Sequence, residues 1–454
     1  MWPIFNIDRK AGAQCYASFK LLGIGITLLS LIGASDIARA DPVKKGPRLT
    51  AAELGLMKGF HEPGDHIVDQ LNWSEPPYSR WGMQNVQALL PSAAIHRTDT
   101  PVTALPKSNK AIDGLMITDE YDTVWTFDEV MESTYTDAFL VVHNGKIVLE
   151  KYWNGMKPWT PHILFSISKS YTGLLAGILE SEGKLDLSNR ITDYIPKLKN
   201  TAWYDTTIRS LIDMNTAVGW SEHGNDYVGG VDEMKNPMLQ WTLANNWMPM
   251  RPEYGDVPDG SHDFLSKLPK KAENKQAFLY KSVDTDMAAW VFEAASGESF
   301  ADLMTSRIWS KIGAEQDAAV IVDQYGAAAG SWGMSVTLRD MGRVGMMMAA
   351  GGSLNGEQII PKEFAADIMS GGDKKLWKKG GRDRKGSYRS FWWHTGNDRK
   401  AYFARGAYGQ YLYIDPKSNT AIVRFASQPG ENRDDMDKLI MAVFDKVIEM
   451  VAAP

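Results

Sequence analysis

The sequence predicts an α+β fold: one antiparallel sheet assembled from both ends of the chain, flanked by helices, with a mostly helical insert between its halves. Three observations predict it. A hairpin signature stands early, at residues 138–153. Three more strand-like runs stand late, between residues 401 and 425. The long stretch between them carries helical rather than strand periodicity. Strands from both ends that share a sheet leave the intervening helices to cover its faces. At 454 residues the chain is long enough for a large core with two packed subregions.

The hairpin is the clearest element. Ala138–His143 and Lys146–Trp153 are β-rich runs on either side of Asn144-Gly145. That dipeptide tolerates the left-handed conformations a type I′ turn needs. Before it, Thr126 with Glu129 three residues on gives a capping-box pattern for a short helix through Met131. Residues 41–135 otherwise look irregular, with a packed aromatic segment at Asn72–Trp81, and form an extension packed on a catalytic domain over residues 136–454. His143 reads as a surface strand residue.

Phe165–Tyr171, continued by the apolar run Thr172–Leu179, marks an abrupt entry into a buried helix that stops at Gly183. The helical insert then runs over about residues 183–330. Within and after it, one helix ends at Leu211–Met214. A second covers Ser282–Glu293, with Ser282 as cap and Val283, Met287, Trp290 and Val291 on one face. A third covers Asp302–Lys311, and a fourth Val336–Met348 with Thr337 as cap. Asp373–Arg389 is basic and Gly-rich, consistent with a solvated loop or with steering of an anionic substrate. The late strands are Ala401–Arg405, Gln410–Ile414 and Ala421–Phe425, joined by Gly406–Gly409 and the turn Asp415–Asn419; an amphipathic helix, Asp434–Val451, follows. No 20–50-residue period repeats.

The first 40 residues read as an export signal. Arg9, Lys10 and Lys20 precede an apolar stretch, Leu21–Ser35, and Ala38-Arg39-Ala40 is a cleavage pattern before Asp41. The stretch is short for a membrane span, so no stable anchor is expected after cleavage, and the location expected is periplasmic or secreted. The single cysteine, Cys15, lies in this signal. The remaining chain would hold no disulfide and no thiol nucleophile. Residues 1–40 carry four basic and two acidic groups, which leaves a net charge near −8 on the rest and argues against nucleic acid as a partner. Sixteen tryptophans fit either aromatic-lined clefts or a Trp-rich core.

Several chemistries drop out. There is no Gly-x-Ser-x-Gly elbow; Gly219–His223 is the nearest miss. The eight histidines form no His-Glu-x-x-His run, and His61 and His66 are too far apart for one helical ligand face, so neither metal nor cofactor is expected. What remains is Ser166 and Lys169, one helical turn apart and on one face. A serine hydroxyl becomes a nucleophile when a base takes its proton, and a desolvated lysine amine can be that base. The unpaired N–H groups of a helix start favour developing negative charge. A second copy, Ser181–Lys184, stands where the helix should end and is expected to face solvent. Acyl transfer also needs a proton shuttle and an oxyanion hole. Tyr280, in Tyr280-Lys281-Ser282, fits the shuttle or a core tyrosine. Gly406–Gln410 fits the hole or a plain β-bend.

Taken together and in this order, these residues resemble the serine β-lactamase and penicillin-binding superfamily, in its class C-like and esterase branch. Within it the likeness is closest to the 6-aminohexanoate-dimer hydrolases, the nylon-oligomer amidases. It runs from about Trp73 to Arg433. It includes Asp137–Val141, Ser166–Ser170, Asp226–Val228, Tyr280-x-Ser282, Val322–Gln324, Arg339–Gly345, Trp392-Trp393-His394-Thr395-Gly396-Asn397 and Gly409-Gln410.

The resemblance implies a β-lactamase/transpeptidase-like fold and a serine hydrolase cleaving small linear amides or esters. Ser166 would be acylated, Lys169 would be its base, and Tyr280 would relay a proton to the leaving group with Ser282 in support. Backbone N–H groups of Ser166 and Ala407 would form the oxyanion hole. Tyr227 would bond the substrate amide from a mobile loop, and Trp393 would line the cleft. Tyr408 stands where the nylon hydrolase pattern has histidine. The Ala-Tyr-Gly-Gln run lacks the Lys-Thr-Gly lysine that pairs with a lactam carboxylate, and Ser282 replaces the asparagine lactamases prefer. The loop Ser221–Asp256 also differs from the nylon amidase pattern, and substrate choice would lie there. A D-Ala-D-Ala peptidase or weak β-lactamase, and a non-catalytic sensor of cell-wall fragments, are the competing readings.

Overall fold

The computed structural model describes residues 43–58, 66–108, 114–222, 236–250, 254, 257–271, 273–380, 385–431 and 433–452. The expected signal and Tyr227 lie outside the described residues.

The hairpin forms as expected, Thr136–His143 against Lys146–Tyr152, with Asn144 and Gly145 both at positive φ, +49° and +75°. It is one edge of a seven-stranded antiparallel sheet. Next to it stands Thr420–Ala426, then Gln410–Asp415, Tyr402–Gly406, Trp392–His394 and Ser387–Arg389. The two ends of the chain meet where Thr420 pairs with His143 and Val423 with Leu140. Alternation assigns the side chains to two faces. Phe139, Val141, Tyr411, Tyr413 and Ile422 pack on one side with the closing helix Asp434–Ala452 and the capped helix Phe127–Ser133. The Thr126–Glu129 capping box is present in full. Leu140, Val142, Leu412, Ile414 and Val423 pack on the other side with helix Leu338–Ala349 and the larger core.

That larger core holds helix Ile167–Ser181 against helix Ser282–Ser296. A second sheet of four short strands flanks it, in the order Ser92–Ile95, Ala318–Ile321, Met334–Val336, His162–Ile163. The N-terminal region is therefore woven into the fold. It contributes a strand, and it buries Arg80, whose Nη1 donates to Asp137 at 2.8 Å and to Ser427 Oγ at 2.8 Å. Burial works to raise the Asp137 carboxyl, but Arg80 and His162 outweigh it and hold that carboxyl below its ordinary value.

The structure corrects four local expectations. Ser282 is the first helical residue rather than the cap, and the helix is capped from outside. Asp373–Arg389 is not a loop throughout, since Lys374–Gly380 is helical and Ser387–Arg389 is the sheet's outer strand. The helix expected over Asp302–Lys311 is an α-turn, Phe300–Met304, running into a π-turn, Thr305–Trp309. The largely helical stretch before residue 330 also holds the strand Ala318–Ile321.

Candidate active site

Ser166 stands at the N-cap of helix Ile167–Ser181. The chain reaches it through strand His162–Ile163, pinned where the Leu164 N–H donates to the Met334 carbonyl at 2.8 Å. It then turns sharply at Phe165, whose φ of +48° is uncommon for a bulky side chain. Ring packing holds this turn. Phe165 stacks on Trp73 with centroids 5.9 Å apart and meets Tyr408 at 4.8 Å. The abruptness expected of this stretch is thus a strained residue locked by aromatic neighbours, one of them from the N-terminal region.

Lys169 is 1% exposed, and its Nζ lies 2.9 Å from Ser166 Oγ and donates to the Ser331 carbonyl at 3.0 Å. Burial pulls this amine below its ordinary value; Glu222 and Asp286 oppose that pull. The Tyr280 ring centroid lies 5.0 Å from the same Nζ. Serine, lysine and tyrosine, 114 positions apart in the chain at their extremes, are therefore brought to one place. Tyr280 packs in turn on Trp393, centroids 5.2 Å apart, and Trp393 is half-buried at the edge of that cluster.

Ala407 opens the turn Ala407–Gly409 at the end of strand Tyr402–Gly406. The strand end comes against the residues entering Ser166: a Cβ on Gly406 would lie 2.2 Å from the Leu164 carbonyl oxygen. Only glycine allows this approach, which sets the turn bearing Ala407 beside the residues leading to Ser166. The N–H groups of a helix cap and of a turn's first residue have no partner due to them within their own element. Tyr408 is buried, with φ +60° and its ring on Phe165, so it supports the turn rather than offering a surface to a ligand.

Ser282 donates through both its N–H, at 2.8 Å, and its hydroxyl to the Glu222 carboxylate. Glu222 thus caps helix Ser282–Ser296 from 60 positions upstream and ties its own segment to the Tyr280 motif. Next to this motif, Lys281 is buried and donates to the Thr216 and Val218 carbonyls at 2.7 and 3.2 Å. One turn into the helix, Asp286 is buried, accepting from Ser331 N–H at 3.0 Å and Trp241 Nε1 at 2.8 Å. Sequence reasoning missed Glu222, Lys281 and Asp286. Glu222 lay inside the near-miss run Gly219–His223. Asp286 follows Ser282 at the i,i+4 spacing that shares a helix face, but no local signal ties it to Ser331.

Comparison with known proteins identifies the family and the fold. The β-lactamase family model matches residues 126–443. The chain is similar to a 6-aminohexanoate-dimer hydrolase of Paenarthrobacter ureafaciens, 31% identical over 369 residues, covering 81% of this chain and 89% of that one. A solved structure from Bacillus anthracis, provisionally assigned as a 6-aminohexanoate-dimer hydrolase, superimposes with a TM-score of 0.75 at 29% identity, covering 86% of this chain and 98% of that one. A family VIII carboxylesterase shares the fold alone, with a TM-score of 0.51 at 17% identity over 68% of this chain and 92% of that one.

Proposed function

The chain belongs to the β-lactamase family, and from that premise we propose that it is a serine hydrolase cleaving small linear amides or esters through an acyl-Ser166 intermediate. The observation that carries the reading is the buried contact of 2.9 Å between Lys169 Nζ and Ser166 Oγ. An amine held this close and kept from water can lose its proton and then accept that of the hydroxyl.

The steps follow from the placement of the groups. Lys169 takes the Ser166 proton as Oγ attacks the carbonyl carbon. The N–H groups of Ser166 and Ala407 bind the oxygen that gains negative charge. Tyr280 passes a proton to the departing nitrogen or oxygen, and the carbon–heteroatom bond breaks to leave acyl-Ser166. Water then attacks the ester, the same groups moving its proton, and the acid is released with Ser166 restored. Ser282 and Trp393 support Tyr280. Tyr227 supplies the substrate contact implied by the resemblance. The similarity to 6-aminohexanoate-dimer hydrolases favours a linear amide among the substrates. The signal-like first 40 residues support action outside the cytoplasm.

Hydrolysis of a p-nitrophenyl ester by wild type and Ser166→Ala tests the reading. We expect the variant to lose activity by at least about 10³-fold. Equal rates for the two proteins would end it. A linear aminohexanoate dimer tests the amide preference on the same pair, and stable labelling by a fluorescent penicillin would favour the peptidase instead.

A further inference from the structure

We propose that Asp286 is a positioning residue for the base: through the Ser331 peptide it fixes the carbonyl that holds the Lys169 amine, and it sets a buried carboxylate behind that amine. The inference rests on the reading of Lys169 as the base.

The geometry is a chain of two hydrogen bonds through one residue. Asp286 Oδ1 accepts from Ser331 N–H at 3.0 Å, and the Ser331 carbonyl accepts from Lys169 Nζ at 3.0 Å. The flanking backbone is pinned to the nucleophile helix on both sides. Thr172 Oγ1 donates to the Gly330 carbonyl at 2.9 Å, and Met334 N–H donates to Ser168 Oγ at 3.1 Å. The carbonyl opposite Lys169 is therefore held by two helices, and Asp286 is the anchor from the helix that also starts at Ser282.

A carboxylate is an unusual choice for that anchor. Asp286 is 2% exposed, and its hydrogen-bond partners among the described residues are neutral N–H groups. Burying such a charge without a bonded cation is costly, and an amide could accept from Ser331 equally well. The charge has an electrostatic use. Burial raises the Asp286 carboxyl to about 6, against the opposing effects of Trp241, Ser331 and the Lys169 charge. Among the described residues the charged groups acting on Lys169 are Glu222 and Asp286; both favour its protonated form, while burial disfavours it. The Tyr280 ring also faces it, 5.0 Å from centroid to Nζ. Asp286 thus holds the base partway between a permanent cation and an amine that is never protonated, from which no proton could be returned.

The sign of the test follows. Activity needs the neutral amine, so kcat/KM rises with pH through the titration of Lys169, and a nearby anion moves that rise upward. In Asp286→Asn the acid limb of the kcat/KM profile for the p-nitrophenyl ester should move down by about one pH unit. The plateau should also fall by roughly 10- to 100-fold, as the Ser331 carbonyl loosens. Asp286→Glu keeps the charge, so its limb should stay at the wild-type position while its plateau falls. Trp241→Phe removes the indole donor that helps keep the carboxyl ionised, so part of the charge acting on Lys169 is lost and the limb should move downward, in the same direction as in Asp286→Asn but by less. This variant carries the test should Asp286→Asn fail to fold. An unmoved limb in folded Asp286→Asn, or an upward shift in Trp241→Phe, would overturn the proposal. If Ser166→Ala retains wild-type activity, the reading of the site falls. If Ser166→Ala is inactive and the limb of Asp286→Asn is unmoved, the role of Asp286 falls alone.

Discussion

Helix Ile167–Ser181 carries the same Ser-x-x-Lys spacing at both ends, Ser166 with Lys169 at its entry and Ser181 with Lys184 at its exit. At the entry the lysine is buried and reaches the serine hydroxyl at 2.9 Å. At the exit the serine hydroxyl donates back to the Ile178 carbonyl at 2.8 Å. Gly183, with φ +70°, has already turned the chain off the helix, so Lys184 is no longer one turn above Ser181. Its amine instead meets Glu182 at 3.3 Å and Glu298 at 3.2 Å, near the surface. The helix ends also differ in the sign of the helix dipole, positive at the first and negative at the second, and only the first favours an oxyanion. The four-residue pattern carries no chemistry by itself. On the proposed reading, what sets the first pair apart is burial of an amine with a hydroxyl and a carbonyl but, among the described residues, no carboxylate within hydrogen-bonding reach.

The contrast breaks most severely at Lys169. Lys169→Met keeps an unbranched side chain in the buried site and removes only the base. We expect kcat/KM on the p-nitrophenyl ester to fall by roughly 10³-fold with an unchanged circular dichroism spectrum. A loss smaller than about tenfold would mean that the 2.9 Å contact is structural, and would put the two pairs on an equal footing.

Tyr280→Phe sharpens the contrast by separating the steps. The phenol hydroxyl is asked only to supply a proton to the leaving group. p-Nitrophenolate departs without one, whereas an amine cannot. The variant should therefore lose roughly 10²-fold on a linear amide and much less on the ester, measured as the ratio of the two kcat/KM values. Equal losses on both substrates would assign Tyr280 to the nucleophile's activation instead.

Much of this arrangement could be read before any coordinates. Asn144-Gly145, the Thr126–Glu129 box and the alternating runs at the end of the chain are local signals, and each formed its element. The meeting of Thr136–His143 with Thr420–Ala426 followed from them, because strands with one buried face each need a partner. The second sheet was not legible. Its strands are two to four residues long, too short to show a period, and Ser92–Ile95 sits in a region that looks irregular. The cap of the Tyr280 helix was misassigned for a related reason: the sequence offers Ser282 nearby, whereas the acceptor comes from Glu222, and distant side chains leave no local trace. In the site, Ser166, Lys169 and Tyr280 were legible as residue types suited to a reaction. Asp286 was not, since its part depends on a peptide unit 45 positions away.

The smallest effect expected is at the helix exit, and it tests the comparison from the other side. Ser181→Ala removes a hydroxyl bonded to its own helix, and Lys184→Ala removes an amine whose carboxylate partners keep Arg307, which reaches Glu298 Nη2 to Oε1 at 2.7 Å and Glu182 Nε to Oε1 at 3.1 Å. Near-surface ion pairs of this kind are worth up to about 1 kcal/mol, and this one is backed by an arginine that remains. The double variant should therefore hydrolyse the ester within about twofold of wild type, with stability lowered by about 1 kcal/mol or less in urea unfolding. A large fall in kcat with stability intact would show that the exit pair takes part in the reaction, and would reduce burial from the cause of reactivity at Ser166 to a coincidence of where one pair happens to sit.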